Sequence, residues 1–339
     1  MSHLPKFFFD FETMQSRHDN DNVFMEPYQC VVRHNGENTV FNAIEYPDLV
    51  PSILNHIFEL SRKHWLNLMR DDDKIEYMMA KFGKKSYWIP RCIMIAHNAY
   101  FDVQFLRKYL CNTSLTCRGS RLLRGSCSQL SNRWYYTGGN PSARNCYMCI
   151  EFIDSMSHIN TRLSAFPSMF ALENIEKDVF PYTLANSTTL FDQCGEVKLT
   201  DAKDHMKPEA YEILRERITN PDNKQKFDVS TKRGRIYFNL WFYSSYYCEL
   251  DCELLEKGYM KYRELVLRAL NLDILGIWTT ASLADTYLYT KGVYENVWEV
   301  SGSVRKFLEK SVVGGRCMTA RNLKQLTTDI VEDFDAVSL

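Results

Sequence analysis

Apolar and polar positions alternate from the start of the chain. Phe7-Phe8-Phe9-Asp10-Phe11-Glu12-Thr13 is dominated by aromatic residues and follows Pro5, which predicts a strand. Side chains alternate faces along a strand, so Asp10 and Glu12 share one face and Phe9 and Phe11 the other. Tyr28–His34 and Glu37–Phe41 are two further strand-like runs, and Asn35-Gly36 between them is a strong two-residue hairpin signal. A three-stranded antiparallel start is expected. Pro51, just after Asp48, opens a helix whose apolar positions Leu54, Ile57, Phe58, Trp65 and Leu68 follow a helical period. Asp71-Asp72-Asp73 reads as a solvated loop, and residues 74–88 as a surface insertion.

Ile93-Met94-Ile95-Ala96 is a short continuous apolar run, as expected of a central strand covered on both faces. Asn98 breaks it and can cap a helix over residues 99–110, with Asp102 in its first turn. Cys146–Ile153 reads as another strand. The polar stretch 193–235, with a turn at Asn220-Pro221-Asp222-Asn223, reads as a surface excursion. Tyr246–Glu256 is helical, so Tyr247 and Asp251 at i and i+4 share a face. Residues 258–294 continue a helical pattern.

Composition narrows the class. At 339 residues the chain can bury a full core in one or two domains. No apolar run approaches the ~20 residues needed to span a bilayer, so no membrane partner is expected. Eleven cysteines without a short secreted framework read as reduced thiols in an intracellular setting. Cys117, Cys127, Cys146 and Cys149 have roughly zinc-like spacing, but residues three apart on a strand face opposite ways, which favours packed thiols. The formal net charge is only −1, yet Val103–Ile150 holds no Asp or Glu and carries seven arginines and lysines, among them Arg118, Arg121 and Arg124. A one-sign segment in a near-neutral chain is a footprint for phosphate.

Asp10 and Glu12 repel each other on an otherwise apolar strand, so a cation should sit between them. Hard divalent ions take carboxylate oxygen. Two surface acids on a solvated edge is the competing explanation from this stretch alone.

Three stretches in this order resemble a known family. Asp10-Phe11-Glu12-Thr13, Asn98-Ala99-Tyr100-Phe101-Asp102 and Tyr247-Cys248-Glu249-Leu250-Asp251 resemble the three motifs of the 3′–5′ proofreading exonuclease domain of family-B DNA polymerases. Asp154-Ser155-Met156 with Leu163, and Val179-Phe180-Pro181-Tyr182, resemble segments of the protein-primed subgroup found in viruses, phages and linear plasmids. Ser311–Arg316 resembles that subgroup's Tyr-x-Gly-Gly linker, with Val312 where the tyrosine would stand. Asp333–Leu339 resembles the start of polymerase motif A, with Asp335 as its aspartate.

The resemblance implies an α/β, ribonuclease-H-like exonuclease domain over residues 1–258. Connecting helices and the start of an incomplete palm would follow over 259–339. It implies two Mg²⁺ or Mn²⁺ ions held by Asp10, Glu12, Asp102 and Asp251, with Tyr247 orienting the attacking water. Thr13, Asn98 and Phe101 would hold a single-stranded 3′ end, and primer-template DNA and a terminal protein are the implied partners. A catalytic lysine is implied before the third motif, with Lys226 and Lys232 as candidates. Excision without polymerisation is expected of this chain by itself. A stand-alone exonuclease and a non-catalytic DNA- or terminal-protein-binding module are the alternatives.

Overall fold

The computed structural model describes residues 3–17, 23–68, 91–130, 146–173, 175–298 and 300–311. The 71–73 acidic run, the 74–88 insertion, Trp134 to Tyr136, the Gly314-Gly315 linker and the motif containing Asp335 lie outside the described residues.

A seven-stranded mixed sheet organises the first 287 residues, a compact unit. β1 (Lys6–Arg17), β2 (Val23–His34) and β3 (Glu37–Asn42) form the expected antiparallel start. Asn35 and Gly36 take the left-handed φ values of 52° and 84° that a two-residue hairpin turn of this kind requires. β4 (Arg91–Ala96) pairs parallel to β1, and β7 (Cys146–Asp154) parallel to β4. The antiparallel hairpin β5 (Leu110–Arg118) and β6 (Arg121–Leu130) completes the sheet, in the order β3-β2-β1-β4-β7-β6-β5. This is the mixed sheet flanked by helices expected of a ribonuclease-H-like fold.

Strand alternation sorts β1 between two cores. Phe7, Phe9 and Phe11 pack with Ile53, Leu54 and Ile57 of α1 (Leu49–Leu68) and with Val103 and Leu106 of α2 (Ala99–Arg107). Phe8 packs on the opposite face with Ile93, Ile95, Leu254 and Tyr259. Asp10 and Glu12 share the face of Phe8, where α5 (Leu240–Leu270) lies across the sheet. α2 is shorter than expected, ending at Arg107, because the chain from Leu110 enters the β5 ladder.

α5 is 31 residues long, capped at its start by the Asn239 side chain accepting from the Trp241 amide. Asn271 closes it in the left-handed conformation. The expected boundary at residue 258 falls inside this helix. Gly258 is there for a steric reason: a Cβ would lie 2.3 Å from the Phe166 ring of α3 (Phe166–Phe170), which seats on α5 at that point.

The polar stretch 193–235 is more than a surface excursion. β8 (Glu196–Lys198), β10 (Arg235–Asn239) and β9 (Ser230–Lys232) form a second sheet, and α4 (Pro208–Thr219) packs with it. Its core joins Leu199, Leu214, Phe227 and Phe238 to Tyr243 and Tyr247 of α5. The three short strands bury only Val197 and Phe238 between them, too few to show a period along the sequence, while α4 buries Tyr211, Leu214 and Ile218 at helical spacing. α6 (Thr280–Thr290) follows α5. Beyond Tyr287 a second unit includes α7 (Gly302–Ser311), with exposed Phe307 and Leu308.

Candidate active site

Three elements bring four carboxylates together. β1 supplies Asp10 and Glu12, the first turn of α2 supplies Asp102, and the buried face of α5 supplies Asp251. Glu12, Asp102 and Asp251 are buried. The Asp102 carboxylate accepts from the Phe11 amide at 3.2 Å, which fastens α2 to β1 between the two acids of that strand.

Burial and mutual repulsion mark the cluster electrostatically. Burial, then the neighbouring Asp251 charge, push the Asp10 carboxyl up from 3.8 to about 7, against Lys177. Glu12 is held well above the ordinary carboxylate range by burial, then by Asp10 and Asp251. Asp102 is pushed up by burial, then by Asp10. Asp251 is raised by burial in spite of the lysine beside it.

That lysine is Lys177, whose Nζ donates to Asp251 Oδ2 at 2.6 Å and lies 5.2 Å from the centre of the Tyr247 ring. Neither earlier lysine candidate is here. Lys232 pairs with Glu196 at the second sheet, and Lys226 sits 3.7 Å over the Tyr246 ring. Lys177 lies on a loop without periodicity, so only its spatial partner identifies it.

The small second sheet and α4 explain how the loop is placed. Arg217 of α4 pairs with Asp178 at 2.9 Å, and the Tyr243 hydroxyl donates to the Val179 carbonyl at 2.8 Å. Phe180 packs against the Tyr247 ring, and the Tyr182 hydroxyl meets the Tyr247 hydroxyl at 2.6 Å. Burial pushes the Tyr247 phenol far up, so it stays protonated at any working pH, and pushes Tyr182 up to about 12. Tyr182 was legible only as part of a resembling segment.

A cavity of about 450 Å³ opens beside Glu12, lined by Phe11, Thr13, Phe101, Tyr182 and Thr183 among others. Two of the three residues expected to hold a strand end, Thr13 and Phe101, are in its wall. Asn98 is not. It stands at the N-cap of α2 in the left-handed conformation, φ 65°, and its side chain does not cap the helix. Its amide donates instead to Asp154 Oδ1 at 3.0 Å, which also accepts from the Met156 amide, so a buried carboxyl at the end of β7 fixes the turn into α2. In the αL geometry the asparagine side chain cannot reach back to the first-turn amides.

The expected arginine patch divides. Arg118 and Arg121 flank the β5–β6 turn and line a cleft of about 740 Å³ with Asn160 and Thr279. Arg124 is buried, pairing with Glu151 at 3.2 Å and donating to the Leu275 carbonyl at 3.0 Å. It is a structural tie between β6, β7 and the loop after α5, and is not placed to meet DNA. The ladder with β5 shifts register at Leu123, so Leu122 packs into the core toward α1 and α2, Arg124 turns to Leu275 on the other face, and Arg121 lines the cleft.

The donor set suits a hard divalent cation. The Glu12 carboxylate, 5% exposed, accepts no hydrogen bond among the described residues. Three buried carboxylates and the half-buried Asp10, facing one lysine, leave excess negative charge and unused oxygens, the condition a Mg²⁺- or Mn²⁺-class ion relieves.

Solved structures of the phi29 DNA polymerase are similar to 94% of this chain. The complex with primer-template DNA and incoming nucleotides is 10% identical with a TM-score of 0.47, and the complex with single-stranded DNA is 12% identical with a TM-score of 0.44. The chain spans about 40% of the length of those structures. No curated protein matches the sequence significantly. The family model for DNA polymerase type B, organellar and viral, matches residues 90–339, which include Asp102 and Asp251 but not β1. That match covers well over half of the sequence, and the chain belongs to the organellar and viral type-B DNA polymerases.

Proposed function

We propose that this chain is the proofreading portion of a protein-primed type-B DNA polymerase, and that it hydrolyses 3′-terminal nucleotides of DNA with two divalent metal ions. The observation that carries the reading is the convergence of Asp10, Glu12, Asp102 and Asp251, largely buried and all raised in pKa, beside a cavity open to solvent. Perturbed carboxylates in a cleft are the usual mark of a reaction centre. Bound there, two divalent ions would make a water nucleophilic and stabilise the leaving 3′ oxygen.

The protein's own groups have distinct tasks. Asp10, Glu12, Asp102 and Asp251 are the metal ligands. Tyr247 offers a neutral hydroxyl, oriented by Tyr182, to position a water. Lys177 holds Asp251 in place and adds positive charge where the phosphate would gain negative charge. Phe101 in the cavity wall gives a stacking face that accepts any base, which suits a site that must remove any mispaired end. Arg118 and Arg121 would contact the phosphates of the strand leading to the site.

The test is a 5′-labelled single strand incubated with the chain and Mg²⁺. Stepwise shortening from the 3′ end that stops on chelation is expected. Internal cleavage, or shortening that survives chelation, would overturn the reading.

A further inference from the structure

Among the described residues one group of three metal-ligating side chains draws together, and it includes a thiol. The ligand atoms of Asp10, Glu12 and Cys248 all lie within 4.8 Å of one another. Cys248 sits three residues before Asp251 on α5, on the buried face that meets β1. Its Sγ lies 3.4 Å from the Asp10 carbonyl oxygen and 3.9 Å from Asp10 Oδ2. A thiol in this place has an ordinary packing role, donating weakly to that carbonyl. The unpartnered carboxylate of Glu12, 5% exposed and within that same 4.8 Å group, is what packing leaves unexplained.

We propose that Cys248 is a third ligand beside Asp10 and Glu12, so that this centre takes a zinc-class divalent cation through one thiolate and two carboxylates. The proposal rests on the carboxylate metal site argued above and adds a ligand to it. The spacing fits. Sulfur and oxygen bound to one tetrahedral zinc at about 2.3 and 2.0 Å lie roughly 3.5 Å apart, so closing the 3.9 Å gap takes a shift of about half an ångström. Thiolate ligands select soft and borderline ions, whereas magnesium demands hard oxygen. A zinc-class ion therefore gains a bond here that magnesium does not. Binding replaces the S–H bond by a metal–sulfur bond and releases one proton to solvent.

The full chain is titrated with Cd²⁺, read by the thiolate-to-metal charge-transfer band in the ultraviolet, and in parallel with Mn²⁺, read by loss of its free electron-spin signal. One saturating Cd²⁺ step is expected, weakened at least about tenfold in Cys248→Ser and kept when the exposed Cys117 or Cys194 is replaced by serine. Mn²⁺ binding should be unchanged in Cys248→Ser. Glu12→Gln, which keeps the shape of the site, should weaken both ions and guards against misfolding of the serine variant. A Cd²⁺ band indifferent to Cys248→Ser while Mn²⁺ still binds would overturn the thiolate ligand alone. Failure of both ions to bind the wild-type chain would overturn the carboxylate site with it.

Discussion

Replacing Lys177 by methionine isolates the charge that holds the apo site together. Its Nζ lies 2.6 Å from Asp251 Oδ2, and the two side chains are 27% and 5% exposed. At an effective dielectric of 20 the pair's attraction is about 6 kcal/mol, but desolvation cancels much of it. Truncating one member of a fully buried pair costs about 3–5 kcal/mol, and an exposed pair is worth about 0–1 kcal/mol. With the lysine partly exposed, about 2 kcal/mol is expected, or a fall in Tm of about 3 °C. The loss should depend on pH with a definite sign. Asp10, raised from 3.8 to about 7, keeps its proton in the folded state while the unfolded chain has lost it. The metal-free fold therefore weakens as pH rises through that window, by about 4 kcal/mol from this group, and flattens above pH 7. Lys177, whose own pKa is raised, remains charged throughout. Thermal unfolding in chelator should show Lys177→Met losing more at pH 8, where Asp10 has lost its proton, than at pH 5. An equal loss at both values would mean that the lysine stem packs and its charge does nothing.

Two further outcomes follow from the site and the cleft. Tyr247→Phe should slow metal-dependent DNA degradation less than Asp251→Ala, since the phenol only positions water, and steady-state rates at saturating Mg²⁺ compare them. Binding of single-stranded DNA should weaken with salt. Replacing Arg118 and Arg121 by alanine should flatten the log–log slope by up to about 1.4, about 0.7 per phosphate contact, while Arg124→Ala should register as lost stability.

The residues show which parts of this molecule can be read from its sequence. Asp10 and Glu12 were legible because strand alternation places them side by side, and Asp251 because helical spacing ties it to Tyr247. The Asn35-Gly36 turn fixed the register of β2 on β3 by local chemistry alone. Lys177 and Tyr182 were not legible as site residues, since a loop carries no period. They arrive through Arg217, Tyr243 and Phe180, contacts between segments far apart in the chain, 64 residues in the case of Tyr243 and Val179. Arg124 misled because its charge is visible in sequence whereas its pairing with Glu151 and Leu275 is not. Asn98 has the right residue type for a cap, but the αL backbone at that turn turns its side chain away.

The four-carboxylate centre is tested most directly by Asp10→Ala combined with Glu12→Ala. Both side chains lie on the sheet face toward α5 and neither joins an apolar core, so the double variant should fold. Removing the Asp10 charge should even raise its Tm in chelator above pH 7. Degradation of a 5′-labelled single strand in Mg²⁺ should be abolished in that folded variant. Near-normal degradation by it would place the chemistry elsewhere and contradict the account.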